Sequence, residues 1–336
     1  MNARVAAILV VLLAVLGGAA LLARREDSAQ RPQDAAALGQ LLLKDLKAAD
    51  IAKIRIVEPK STLTLERKED GWVIAEREGF PADLAKVRDF VVKMISLKVA
   101  QAEPVGEKDR ARLNLDSSAV QVEFVGADGK PLAKLLVGKK LFRSEPENPE
   151  KALGDGRFVM LPGDDKRVVM VSDPLAQATA KSAEWIDRRA FQIEKVKMLE
   201  VRYPGGEGWR LERAGENAEW KLAGAKPGEK VDSSRANAAT YSLGLLDLAD
   251  VAPRDSSPEA TGLDKPIRIS ATTLGKVSYA VRVGNLAGEN YYVMLESGGA
   301  AKDKAFAQRV LLIPKSRLED TLKKRAELIE KKDTKK

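Results

Sequence analysis

The chain repeats itself over a long period, and that limits what it can fold into. Residues Ile51–Pro59 (IAKIRIVEP) are followed by Leu65-Glu66-Arg67 and then Trp72; Val196–Pro204 (VKMLEVRYP) is followed by Leu211-Glu212-Arg213 and then Trp220. The two tryptophans lie 148 residues apart, and so do Leu115-Asp116 and Leu263-Asp264. Val137-Gly138 returns as Val283-Gly284, and Phe158-Val159-Met160 as Tyr292-Val293-Met294, in the same order. A period this long predicts duplicated domains rather than a short-repeat solenoid. The expectation is two tandem copies, residues 47–190 and 191–331.

Within each copy the apolar residues alternate as in half-buried strands. In the first copy this predicts strands over 51–57, 62–67, 72–74, 120–125, 132–137, 158–161 and 168–171, with Ala127-Asp128-Gly129-Lys130 as a hairpin turn. A helix is predicted from Asp83, with Leu84, Val87, Phe90, Val91, Met94 and Leu97 as its apolar stripe, and another from Pro174 to Ile186. The second copy predicts strands near 196–202, 207–213, 219–222, 267–271, 276–283, 291–295 and 309–313, with helices over 232–248 and 315–330. Hairpin-length turns between strands, interrupted by a few helices, give an α+β fold with mostly antiparallel sheets.

Ahead of the copies, Val5–Ala23 is nineteen uncharged and almost wholly apolar residues, flanked by Arg4 and by Arg24-Arg25. As a helix it spans about 28 Å, close to the roughly 30 Å hydrocarbon core of a bilayer. Residues 1–25 therefore read as a single-pass signal anchor, with the rest of the chain in the periplasm. A cleaved signal peptide ending near Gly17 and Ala19 is the competing reading. Residues 26–46 form a polar linker and a short helix, with Leu38, Leu41, Leu42 and Leu46 at near-helical spacing, and residues 332–336 a basic tail. The net charge of +8 lies at the ends: residues 1–25 carry +3 and residues 315–336 carry +4. The near-neutral body argues against a nucleic-acid partner.

The chain has no histidine and no cysteine. That excludes Ser-His-Asp and Cys-His catalysis, thiolate and imidazole metal ligation, and disulfides. The recurrent residues read as parts of a frame. Trp72 and Trp220 are sheet anchors, Asp83 and Asp232 helix N-caps, Leu115-Asp116 and Leu263-Asp264 turns. Gly138 and Gly284 meet a turn or bulge, and Glu66-Arg67 and Glu212-Arg213 point to opposite strand faces. No residue is assigned as catalytic, cofactor-binding or metal-ligating, and no cofactor is expected. A site is expected where the copies differ, as in the acidic loop Ser144–Asp155, or in a groove where they meet. Two alternatives to a non-enzymatic accessory role stay open: an exported carboxylate-dependent hydrolase and a ligand-binding module.

Together, the strand with Ile54 and Ile56, the Leu65-Glu66-Arg67 to Trp72 hairpin, Ala82-Asp83, Leu115-Asp116, Leu135–Gly138 and Phe158–Met160 resemble the domain of unknown function 4340 family. The likeness covers about residues 47–330. It implies a membrane-anchored, exported protein that accompanies a gliding-motility-type ABC transporter and its auxiliary subunit. It brings no catalytic residues with it.

Overall fold

A computed structural model of the chain describes residues 37–330, apart from 145, 165, 190, 254, 299–305 and 308. The apolar segment 5–23, most of the linker and the basic tail lie outside the described residues. Among the described residues no helix is long and apolar enough to cross a membrane.

The chain folds as two antiparallel sheets with few helices. The first sheet is built from β1 (Ile51–Glu58), β2 (Ser61–Lys68), β3 (Gly71–Ile74), β4 (Phe80–Pro81), β5 (Gln101–Pro104), β6 (Val120–Gly126), β7 (Pro131–Leu141), β8 (Gly156–Met160) and β9 (Arg167–Val171). Their spatial order is β4-β3-β2-β1-β6-β7-β8-β9-β5. Alternation explains the pairing faces: Ile54, Ile56, Leu63, Leu65, Val122 and Phe124 are fully buried while their neighbours are not. The β6–β7 turn is closed by Gly129 at φ 79° and by the Asp128 carboxylate, which accepts from the Lys130 N–H at 3.1 Å. Helix α1 (Leu84–Ser96) lies between β4 and β5 in sequence. It buries Phe90, Val91 and Met94, and the Phe90 ring stacks on Phe124 with centroids 6.3 Å apart. Leu84, the first residue of the expected stripe, is 59% exposed instead. A second short helix, α2 (Glu107–Arg112), follows β5.

The second sheet comprises β10 (Val196–Arg202), β11 (Gly208–Glu212), β12 (Lys221–Leu222), β13 (Asp250–Val251), β14 (Ile267–Thr273), β15 (Ser278–Ala287), β16 (Asn290–Gly298) and β17 (Val310–Pro314), in the order β12-β11-β10-β14-β15-β16-β17-β13. Its helices are α3 (Ser233–Tyr241) and α4 (Pro258–Thr261). Apart from β4, the two sheets have the same strand order. In each, a three-strand meander runs outward, a helix follows, a short strand pairs at the far edge, and a four-strand meander returns to the first strand. In each, the third-last long strand carries a bulge at a glycine: the register shifts after Val137 in β7 and after Val283 in β15.

The chain divides into two compact units that interleave in sequence. The first holds the described residues up to Thr64 with Arg88–Ala180; the second holds Leu65–Val87 with residues from Lys181 onward. Within the second unit, Arg77 donates from Nε and Nη2 to the two carboxylate oxygens of Asp250 at 3.0 and 2.9 Å. The Ser182 hydroxyl donates to Asp250 Oδ2 at 2.8 Å. Phe80 and Phe191 both pack against Phe306, at centroid distances of 5.8 and 6.1 Å.

Three expected helices take other forms. Residues 37–46 are turns and bends that bury Leu42, Leu43 and Leu46. Their backbone bonds to an extended neighbour instead, with the Leu42 N–H donating to Leu97 O at 2.7 Å. Between Pro174 and Ile186 the only helical turn is 3-10, at Ser182–Glu184, because Leu175 takes a left-handed φ of 48° and the carbonyls of Glu184 and Trp185 accept from Lys86 Nζ and the Asp83 N–H. Residues 315–330 hold 3-10 turns at Lys315–Arg317 and Arg325–Leu328. Between them the Leu322 and Lys323 carbonyls accept from the Tyr203 hydroxyl and the Trp209 indole. The helix expected over 232–248 ends at Tyr241 and continues as a 3-10 turn, Ser242–Leu245.

Candidate functional site

The recurrent residues hold the frame. Asp83 Oδ1 accepts from the N–H groups of Ala85 and Lys86 at 3.0 and 3.2 Å, and Asp232 Oδ1 from that of Arg235 at 3.1 Å. Both aspartates are therefore N-caps. The Asp116 carboxylate accepts from the Ser118 N–H and hydroxyl, which lowers its pKa. Leu115 and Leu263 are buried. Trp220 is buried, whereas Trp72 is half-buried. Gly138 and Gly284 sit where the turn preceding the sheet's inner strand crosses the bulge. A Cβ on Gly138 would lie 2.4 Å from Leu113 O, and one on Gly284 2.1 Å from Thr261 O.

Asp128, Asp187 and Glu229, like Asp116, have lowered pKa values, through hydrogen bonds from Lys130, Arg189 and Arg325 respectively. A general acid at neutral pH needs the opposite displacement. Among the described residues no group of three or more acidic side chains is placed to hold a metal ion.

A groove of about 640 Å³ opens in the second unit. It brings together three stretches distant in sequence: the entry to β10 (Ile193–Val196), the turn after β11 (Arg213–Glu216), and α3 with its 3-10 extension (Asn237–Leu245). The Ile193 N–H donates to Leu243 O at 3.0 Å, tying the first stretch to the third. Arg213 fixes the second. Its Nε donates to Val196 O and its Nη1 to Glu216 O, both at 2.7 Å, while its guanidinium covers the Trp220 ring 4.6 Å from the centroid. The Trp220 indole donates to Asn237 Oδ1 at 2.9 Å. An indole N–H can only donate, so the Asn237 carbonyl faces Trp220 and its NH₂ is left to face outward. The floor is apolar, with Ile193 and Val196 buried, and the rim is open, with Tyr241 70% and Leu245 42% exposed. Lys195 Nζ lies 3.7 Å from Glu216 Oε2 across one end. The volume falls in the range of small-ligand sites, which are mostly apolar with a few oriented polar groups.

The loop singled out by sequence is organised around one cation. Lys140 Nζ donates to the carbonyls of Pro149, Glu150 and Ala152 at 3.4, 2.8 and 2.7 Å. The Arg143 N–H closes the base by donating to Asp155 Oδ2 at 2.8 Å. The groove lining, by contrast, had no sequence signal of its own, because its parts are ordinary strand-end, turn and helix residues. Of the basic C-terminal residues, Lys324 Nζ lies 3.6 Å from the Tyr203 ring centroid and Arg325 pairs with Glu229 at 2.7 Å; Lys331, Lys332, Lys335 and Lys336 lie outside the described residues.

Comparison with curated proteins and with solved structures gives no match to this chain. The sequence profile described as "Domain of unknown function (DUF4340)" matches residues 72–266, more than half of the chain. That span runs from the tryptophan of β3 to the residue before β14, through the loop around Lys140 and the groove. The chain belongs to the DUF4340 family.

Proposed function

We propose that the chain is a non-catalytic accessory protein of the bacterial envelope. It is held at the inner membrane by residues 5–23, carries two tandem copies of one domain on the periplasmic side, and binds another envelope protein, an ABC-type transporter component. The observation that carries this reading is the use made of the residues the two halves share. Asp83 and Asp232 cap, Gly138 and Gly284 admit a crossing backbone, and Leu115 and Leu263 are buried. What recurs is a frame, and a frame repeated without a repeated set of chemical groups suits a scaffold. The common strand order of the two sheets supports duplication, the apolar run at 5–23 supports the anchor, and the family resemblance supports the transporter. Gentle solubilisation of membranes followed by affinity purification is expected to recover a transporter subunit in stoichiometric amount. Repeated recovery of the chain alone would sink the proposal.

The groove of about 640 Å³ favours a second reading, a ligand-binding module. Tyr241→Ser with Leu245→Ser separates the two. Loss of a bound small molecule, detected by mass spectrometry of the native protein, supports the module; loss of the co-purified subunit supports the scaffold. The carboxylate-dependent hydrolase draws no support from the four displaced carboxylates, all of which shift downward.

A further inference from the structure

The first unit holds a second concavity, about 420 Å³, at the end of β7 where the loop around Lys140 begins. Arg112, Lys139 and Lys140 line it together with Leu113, Leu141, Phe142 and Phe158. No carboxylate is among these lining residues. Arg112 pairs with Asp109 at 3.3 Å, but that pair is 77% and 53% exposed and so holds the guanidinium weakly. Lys139 is exposed and has no ion-pair partner among the described residues. Lys140 is already engaged by three loop carbonyls and serves to hold that wall in place. Directly across the strand pair from Lys140 stands Arg157, whose buried Nε has no hydrogen-bond partner among the described residues. Three cations therefore line one concavity, with no carboxylate among the lining residues, and Arg157 stands across the strand pair from one of the three. The two phenylalanine rings give the same concavity an aromatic wall.

We propose that this pocket binds a phosphate ester, with Arg112 and Lys139 on the phosphate and Phe142 and Phe158 against its organic part. The arginine fork matches the phosphate oxygens bidentately, the lysine adds a mobile point charge, and the rings bury the apolar portion. The loop that supplies one wall belongs to the first half alone: Gly138 to Phe158 spans 20 positions, against 8 from Gly284 to Tyr292. The pocket is thus specific to one half of the repeat, unlike the frame. The ester could be a free small molecule or the headgroup of an anionic lipid. Both present the same group to the same two cations.

The test uses the full chain in mild detergent and three soluble probes: phenyl phosphate, inorganic phosphate and phenol. Titration calorimetry is expected to show saturable binding of phenyl phosphate, weaker binding of inorganic phosphate and none of phenol. Arg112→Gln with Lys139→Gln is expected to weaken phenyl phosphate at least tenfold without moving the thermal midpoint, since both side chains are exposed. Phe142→Leu is expected to narrow the gap between phenyl and inorganic phosphate. In a parallel arm, the chain without residues 1–25 is floated with vesicles of phosphatidylglycerol or phosphatidylcholine. Flotation with the anionic vesicles alone, abolished by the same double substitution, assigns the ester to lipid; saturable phenyl phosphate binding without flotation assigns it to a soluble ester. Binding equal in the wild type and the double variant, or none in either arm, overturns the proposal.

Discussion

Gly138 and Gly284 are two residues that leave little room for change. Each stands under a crossing backbone carbonyl, so a methyl group there must displace main chain rather than a flexible side chain. Gly284→Ala and Gly138→Ala are each expected to destabilise the protein by roughly 1–3 kcal/mol in urea denaturation. Gly275→Ala, whose Cβ would meet only Thr273 Oγ1 at 3.7 Å, is the control expected to stay within ~0.5 kcal/mol. A second residue-scale prediction concerns acid. The Arg325 guanidinium, hydrogen-bonded to Glu229, holds the carboxyl at about 2, below its ordinary 4.5. A carboxyl depressed in the folded state contributes its stabilisation above its unfolded pKa. That contribution is complete above about pH 4.5 and is lost as pH falls toward 2. Glu229→Gln should therefore flatten the acid unfolding curve in that window, with slightly lower stability than the wild type near neutrality and the same stability near pH 2. An identical acid profile for the two proteins would show that the pair is not coupled to folding.

At the scale of elements, the N-caps set where helices begin. Asp83→Ala and Asp232→Ala each leave helix N–H groups without their acceptor, and each is expected to cost about 1 kcal/mol in a thermal or urea melt. Replacement by Asn or Ser should recover most of it. The elements also show what a sequence reveals and what it hides. Strands β1, β2, β6 and β7 were legible because alternation reports burial directly, and Ile54, Ile56, Val122 and Phe124 are indeed fully buried. The spans 174–186 and 315–330 have helical spacing of apolar residues, yet their carbonyls bond elsewhere: Trp185 O accepts from the Asp83 N–H, and Lys323 O from the Trp209 indole. Periodicity reports which side chains are buried and is silent on where the backbone finds its partners. The two-residue strands β4 and β13 escaped for a related reason, since two residues carry no period. The groove was equally hidden, because it joins residues 193–196, 213–216 and 237–245 only after folding. The loop around Lys140 was legible as a difference in length between the halves, but Arg112, which completes its pocket, lies well upstream in the chain.

At the scale of the whole molecule, the two compact units interleave in sequence. Residues 65–87 belong by sequence to the first half and by packing to the second unit, where Arg77 grips Asp250 and Phe80 meets Phe306. The ion pair is mostly buried, with side chains 20% and 18% exposed. Among the described residues, Arg77→Ala would leave Asp250 with only the Ser182 hydroxyl and the Val251 N–H, at an expected cost of roughly 1–3 kcal/mol. A double-mutant cycle with Asp250→Asn should show coupling between the two sites; strict additivity would mean the pair contributes nothing.

The interleaving also governs the order of events during synthesis. Arg77 emerges 173 residues before Asp250. At about 5–20 residues per second, the segment around it waits roughly 10–35 s for its partners. During that interval Arg77 lacks Asp250 and Phe80 lacks Phe306, so the nascent segment is a stage at which a chaperone would find apolar surface to hold. Residues 65–87 can therefore be finished only after the chain around Asp250 has been made.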